Sequence, residues 1–218
     1  MIGSNTAAVY DIARDPLCDF TSKRGFLVAL SYMLSLQIGG LIMAGPPCSL
    51  FVFLSSSVHK RSTCCPEGDT SNASVRMANL IVRNLAVLLR LATSRGVHWV
   101  VEQPGSSKLW GLQTMKTLFA QCEPCRVFTY MGCFGHSLNM LKPTVLWGTV
   151  PTLHMLARTR KQCPMEESSG RAGKKIFYFI GSDGRVTGGP DLHESAAYPA
   201  LFAKAVFEAW GAATASAN

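Results

Sequence analysis

Charged residues are scarce in this 218-residue chain, at 16% of the sequence, against roughly a quarter in an average soluble protein. With 48% apolar residues, this scarcity excludes a disordered tail, a coiled coil and a collagen-like chain. Acidic residues are the scarcer kind, because 21 Lys and Arg against 13 Asp and Glu leave a net charge of +8. The excess of positive charge predicts an acidic partner, such as nucleic acid or an anionic membrane surface. The length of the chain suits one domain over 1–218.

A secretory signal is also lacking, since the segment 1–14 has no basic start followed by an apolar stretch. Eight cysteines without such a signal predict reduced thiols and an intracellular compartment, the nucleus if the protein acts on DNA. Phe26–Ala44 carries no charge over 19 residues, about the length of a membrane span. Gln37 and the Gly39-Gly40 pair interrupt this stretch, which favours a helix followed by a short strand over a membrane span.

Apolar runs alternate between helical and strand lengths along the chain. The expected helices cover Gly25–Leu36, Arg76–Arg95, Leu112–Gln121 and Tyr198–Trp210. The expected strands are Val9–Ile12, Leu41–Ala44, His98–Val101, Arg126–Met131 and Val145–Trp147, with a late hairpin of Ile176–Ile180 and Arg185–Thr187. The alternation predicts an α/β fold with a Rossmann-like, mostly parallel sheet, helices on its faces and a late antiparallel pair.

Three chemically useful residues, Asp11, Cys48 and Glu102, come at or just after predicted strand ends. Ligands of open α/β sheets bind outside the carboxyl ends of the strands, so we expect these three side chains to converge on one edge. A thiol on a stiff Gly-Pro-Pro turn suits a nucleophile. A carboxyl group among apolar neighbours acquires a raised pKa and can hydrogen-bond a ring nitrogen. Taken singly, each residue also fits a structural role.

Gly45–Ser49 (GPPCS), followed by Glu102–Pro104 (EQP), resembles the catalytic Pro-Cys loop and the strand-end Glu of the cytosine-C5 DNA methyltransferases. Three later segments are similar to a divergent phage-like and algal group of that family: Tyr130–Gly132, Lys142–Trp147 and Glu194–Pro199. The likeness covers most of the chain. It implies a methyltransferase-type, Rossmann-like domain.

The resemblance implies S-adenosylmethionine-dependent methylation of cytosine C5 in DNA. Cys48 would add to C6 of a flipped-out cytosine, and Glu102 would hold the base near N3 and the exocyclic amine. Cofactor contacts are implied for Asp11, Pro46 and Pro47. Phosphate contacts are expected of Lys60, Arg61 and Arg76, and nucleic-acid contacts of Lys142 and Thr144.

Departures from the family pattern lead to alternative hypotheses. The family's first strand and glycine-rich cofactor loop should precede Tyr10, and nine residues precede it here, so we expect an N-terminally truncated domain. Fewer than fifty residues separate Thr149 from Tyr198, too few for a large target-recognition region. The chain is then either a methyltransferase, active with help or impaired, or a non-catalytic interaction or scaffold subunit of a larger assembly. A basic nucleic-acid binder without catalysis is the third hypothesis.

Cys122, Cys125, Cys133 and His136 form the pattern C-x2-C-x7-C-x2-H. Three thiolates and an imidazole are a sufficient ligand set for structural zinc. The spacing is not a common zinc frame, and the segment 130–135 matches the methyltransferase-like strand, where no metal is expected. Buried or scattered thiols are therefore the favoured interpretation.

Overall fold

The computed structural model describes residues 7–135, 141–163 and 197–215, together with the backbone of 178–180 and 186–188. The α-helices of these residues are α1 (Lys23–Ser35), α2 (Ser56–His59), α3 (Ala73–Ser94), α4 (Gln113–Cys122) and α5 (Ala200–Ala215). The strands are β1 (Leu41–Ala44), β2 (His98–Pro104), β3 (Cys125–Tyr130), β4 (Pro143–Gly148), β5 (Tyr178–Ile180) and β6 (Val186–Gly188).

The α/β class is confirmed, and the main sheet is mixed rather than mostly parallel. Its strand order is β1-β2-β4-β3, in which β1 and β2 are parallel and β4 is antiparallel to both of its neighbours. After β3, the described part of the connection is one 3-10 turn, Met131–Phe134, and not the crossover helix that a parallel return needs. The expected late antiparallel pair is present as β5 and β6. This arrangement is compatible with a Rossmann-like fold.

The uncharged stretch Phe26–Ala44 divides into α1 and β1, as predicted. Ser22 caps α1 by accepting a hydrogen bond from the Gly25 N–H at 2.9 Å. The chain then turns at Gly39, whose φ of +79° favours glycine. In the part of the chain that the structure describes, no helix is long and apolar enough to cross a membrane.

The predicted strand Val9–Ile12 is wrong, because this segment is irregular and ends in a turn. Tyr10 packs edge-on against Phe20 and Tyr32, with ring centroids 5.7 and 6.3 Å away. Its hydroxyl donates to the Gly25 carbonyl at 2.9 Å. The segment is therefore attached to α1 through an aromatic cluster instead of pairing in the sheet.

Side chains of β2 alternate between two hydrophobic layers. Trp99 and Val101 pack with α1, α3 and α4 on one face, and Val100 packs with α5 on the other. The alternation continues past the core, so Glu102 faces the α5 side and Gln103 faces the opposite side. Both lie at the carboxyl end of β2, where the candidate site is found.

Candidate functional site

The parallel pairing of β1 and β2 places the Cys48 loop beside Glu102. Ala44, the last residue of β1, is in register with Val101, so the chain leaves the sheet at Gly45 next to Glu102. Cys48 and Glu102 are close enough to interact electrostatically. Asp11 is not on a strand; it lies in an exposed turn, where its carboxylate accepts from the Ala13 N–H at 2.9 Å.

Glu102 is a buried carboxyl group with one hydrogen bond given to it. The residue is 6% exposed, and its Oε2 accepts from the Tyr198 hydroxyl at 2.8 Å. Its Oε1 is buried with no hydrogen-bond partner among the described residues, an arrangement that costs about 1–3 kcal/mol. Burial raises the pKa of Glu102, opposed by the Tyr198 hydrogen bond and the charge of Lys142. The protonated form of Glu102 therefore persists to higher pH than that of an ordinary Glu.

Tyr198 fills the space between Glu102 and the Cys48 loop. Its ring packs on Phe202 with centroids 5.5 Å apart, and its hydroxyl lies against Gly45, where a Cβ would collide with it. Although 40% of the residue is exposed, the hydroxyl end is enclosed. Burial, with the neighbouring charge of Glu102, raises the pKa of Tyr198, so the phenol remains a proton donor.

The Cys48 thiol is partly buried on the loop that follows β1. Burial raises its pKa, the charge of Glu102 raises it further, and the charge of Lys142 lowers it. The uncharged thiol is therefore favoured while Glu102 is ionised. Protonating Glu102 removes one of the two causes of the raised Cys48 pKa. A proton on Glu102 and a thiolate on Cys48 therefore stabilise each other.

Gln103 braces the Cys48 loop from the other face of the sheet. Its side chain is fully buried, and Nε2 donates to the Pro46 carbonyl at 2.6 Å. Its Oε1 accepts from the Ser107 hydroxyl at 2.8 Å. Gln103 therefore holds the Cys48 turn in place.

Sequence reasoning missed the role of Tyr198 and the position of Lys142 beside the site. Tyr198 is 96 residues from Glu102, and strand-end spacing gives no signal for such a contact. Lys142, whose nucleic-acid contact stays a prediction, has its charge near Cys48 and Glu102 and its Nζ 6.0 Å from the centroid of the Tyr198 ring. Its place directly before β4, at the same edge as the end of β2, is the signal that could have found it.

The expected phosphate contact of Arg61 and the expected nucleic-acid contact of Thr144 do not fit the burial of these side chains. Arg61 is 6% exposed, and it donates from Nε to the Leu50 carbonyl and from Nη1 to the Pro66 carbonyl, both at 2.7 Å. Thr144 is fully buried and donates to the Lys142 carbonyl at 3.0 Å. Both side chains hold backbone in place.

Lys60 and Arg76 are exposed, and their phosphate contacts stay predictions. The Lys60 Nζ lies 2.8 Å from a carboxylate oxygen of Asp69. Arg76 donates from Nη1 to the carbonyls of Thr70 and Ser71 at 2.8 and 2.6 Å. A phosphate would have to compete with these partners.

The described residues do not fit S-adenosylmethionine. The Pro46 carbonyl is occupied by Gln103, and Asp11 lies in an exposed turn away from any strand end. Pro47 lines a mostly apolar hollow of about 330 Å³ with the start of α3. Among its lining residues there is no carboxylate for the ribose hydroxyls or for the methionine ammonium group.

The zinc hypothesis loses a ligand, because Cys133 forms a disulfide with Cys163. This pair also corrects the expectation that all thiols are reduced: the two turns that carry these cysteines meet beside α5 and β3. Cys122 and Cys125 are free thiols, and His136 lies outside the described residues. Over the residues that the structure describes, no group of three or more His, Cys, Asp or Glu could hold a metal ion.

The site is thus a thiol on a braced turn beside a buried carboxyl group and a phenol, at the carboxyl edge of a parallel strand pair in an α/β sheet. No protein-family model, curated protein or solved structure matches the chain. The chemistry of this site is therefore the basis for assigning a function.

Proposed function

We propose that the chain is a cytosine-C5 DNA methyltransferase-like domain whose own residues bind and activate the target base. The observation that carries the proposal is the placement of the Cys48 thiol beside a buried Glu102, one oxygen of which has no hydrogen-bond partner in the described part of the chain. A protonated carboxyl group offers one donor and one acceptor. Cytosine presents a matching acceptor at N3 and a donor at its exocyclic amine.

Base activation then follows from the two groups. The Cys48 thiolate adds to C6, which displaces the C5=C6 π electrons through C4 toward N3. N3 then takes the proton of Glu102. C5 becomes a nucleophilic enamine carbon. C5 takes a proton from water and then loses its original hydrogen as a proton. Cys48 is eliminated from C6, and N3 returns its proton to Glu102. These steps restore cytosine and the site.

Neighbouring residues support each part of this chemistry. Lys142 favours the thiolate, since its charge lowers the pKa of Cys48. Tyr198 donates to Oε2 of Glu102, so a proton on Oε1 is available for N3 and Oε2 keeps a second lone pair for the exocyclic amine. Gln103 keeps the loop in register with β2.

Methylation additionally requires S-adenosylmethionine, which supplies the methyl group for C5. Because the described residues do not fit this cofactor, we assign base activation to this chain and binding of the methyl donor to a partner protein. A calorimetric titration of the chain alone with S-adenosylmethionine should show no saturable binding. Saturable micromolar binding would overturn that division of labour and leave the role of Cys48 intact.

Covalent capture of the base tests the proposal. A duplex in which pyrimidin-2-one replaces one cytosine presents a more electrophilic C6, because the exocyclic amine is missing. The proposal predicts an adduct on the Cys48 peptide by mass spectrometry. Cys48→Ala should abolish it, and Cys64→Ala, at an exposed thiol, should leave it unchanged. A folded protein that forms no adduct, or forms it elsewhere, contradicts the proposal.

A second candidate is the non-catalytic interaction subunit, and the edge of the sheet favours it. β1 is an outer strand, and such strands pair readily with other chains. Apolar side chains nearby are exposed: Leu27 and Leu34, seven residues apart on α1, and Ile38, which is 85% exposed. A folded chain without any Cys48 adduct would favour this candidate over base activation.

A further inference from the structure

Helices α3 and α4 pack side by side and leave a groove of about 290 Å³. Its polar lining includes Arg83 and Arg90 from α3, with Gln113, Thr117 and Gln121 from α4. Arg90 and Gln121 are joined across the groove by a 3.3 Å hydrogen bond. The groove is thus rich in hydrogen-bond donors that can face an anion.

The charge of this surface is unbalanced. Neither helix contains an Asp or a Glu, so the usual acid–base pairs four residues apart are missing. Arg83 and Arg90 are exposed and form no ion pair within the described residues. Over positions 70–126 there are seven Lys and Arg against two acids, Glu102 and Glu123, and the first of these is buried. One further acid, Glu67, accepts from the Gln113 N–H at the start of α4 at 3.0 Å, so the cations still outnumber the acids around the groove. Such a positive surface attracts an anionic partner.

The spacing of the arginines suits a polyanion rather than a single ion. Arg76, Arg83 and Arg90 follow one another at seven-residue steps, which places them on one stripe of α3 at intervals of about 10 Å. That interval matches the rise of about three nucleotides along one strand of a DNA duplex. Arginine also forms paired hydrogen bonds with phosphate oxygens.

The stripe begins close to the candidate site. Pro47 and Ser49, which flank Cys48, line one hollow together with Ala73 and Ser74 from the first turn of α3. From there the helix runs away along the face of the sheet. We propose that the α3–α4 groove binds the phosphodiester backbone of DNA that flanks the target base. The inference rests on the proposed function in taking DNA as the substrate.

Salt-dependent DNA binding tests this inference. Arg83→Gln and Arg90→Gln are titrated, each by fluorescence anisotropy, against a labelled duplex over a range of salt concentrations. Each substitution should make the slope of log K against log salt shallower by about 1. Lys204→Gln removes one exposed charge from α5, which packs on the opposite face of the sheet, and should leave the slope unchanged.

The failure of this inference is distinguishable from that of base activation. Variant slopes equal to wild type, in proteins with unchanged circular dichroism, would overturn the groove assignment whatever the Cys48 adduct shows. Shallower slopes in a protein that never forms the adduct would uphold the groove and reject base activation. A slope that changes as much in Lys204→Gln would also overturn the groove, because charge alone would then account for the effect.

Discussion

The Tyr198 hydroxyl donates to Oε2 of Glu102 at 2.8 Å and thereby connects the start of the last helix to the end of β2. The other oxygen of this carboxyl group, Oε1, has no partner among the residues that the structure describes. Because the hydroxyl also lies against Gly45, at the start of the Cys48 loop, the same phenol is in contact with both halves of the site.

Replacing Tyr198 by Phe should destabilise the fold by about 1–3 kcal/mol, because the second oxygen of Glu102 is then buried without a partner. The loss of this hydrogen bond also raises the pKa of Glu102 further above its unfolded value. Stability linked to the protonated carboxyl group is present at low pH and is lost as the pH rises, so the loss should grow with pH. Urea unfolding at several pH values measures it. Tyr130→Phe is the control, and an equal loss at all pH values would contradict the prediction.

Glu102→Gln should make Cys48 more reactive at neutral pH. The charge of Glu102 raises the pKa of the thiol, so the neutral amide should lower that pKa and increase the thiolate fraction. Iodoacetamide labelling over a pH series, followed on the Cys48 peptide by mass spectrometry, gives the pKa directly. In wild type it should lie above that of an ordinary cysteine. Glu123→Gln, at an exposed position, should change nothing; an unchanged pKa in Glu102→Gln would refute the electrostatic coupling.

Gly45→Ala should destabilise the protein by about 1–3 kcal/mol, since the new Cβ collides with the Tyr198 hydroxyl. In the Tyr198→Phe background the same substitution should cost less, because the colliding oxygen is gone. Thermal or urea unfolding of the four proteins provides the double-mutant cycle. Gly211→Ala is the matched control: its Cβ would meet nothing within 4 Å in α5, and it should stabilise by about 0.5–1 kcal/mol. Additive effects at Gly45 and Tyr198 would contradict the contact.

Arg61→Gln should reduce stability far more than it reduces DNA affinity. The buried guanidinium makes two hydrogen bonds to carbonyls and lies 4.2 Å from the centroid of the Phe51 ring, and losing such contacts costs about 2–4 kcal/mol. The adjacent Lys60→Gln breaks an exposed ion pair with Asp69 and should cost much less, because solvent screens such a pair. Unfolding measurements on both variants compare them. If Arg61→Gln is as stable as Lys60→Gln, the bracing role is wrong.

Local pattern was enough to predict most of the fold. The strand Leu41–Ala44 matches β1, and the helix predicted over Arg76–Arg95 is α3 with its start moved to Ala73, because apolar period and glycine stops report local structure. The antiparallel course of β4 depends on which strand it pairs with, and the aromatic cluster of Tyr10 depends on α1. Neither has a local signal, so both were missed.

Part of the candidate site could likewise be predicted from local pattern, and part depends on contacts between distant segments. Cys48 and Glu102 could be placed together because parallel strands end at one edge of a sheet. Tyr198 could not, since it reaches Glu102 from the far end of the chain. Arg61 and Thr144 were misread because their residue types suggest nucleic-acid contacts, whereas burial, which decides their role, is a property of the folded chain.

Exchange of the cytosine C5 hydrogen is a direct test of base activation at this site, because the exchange requires Cys48 and Glu102 but no methyl donor. DNA tritiated at C5 of cytosine is incubated with the protein, and release of tritium to water is followed over time. We expect the wild type to release tritium, Cys48→Ala to release none, and Glu102→Gln to release it much more slowly. No release by a folded wild-type protein that binds the DNA, or equal release by Cys48→Ala, would contradict base activation by this site.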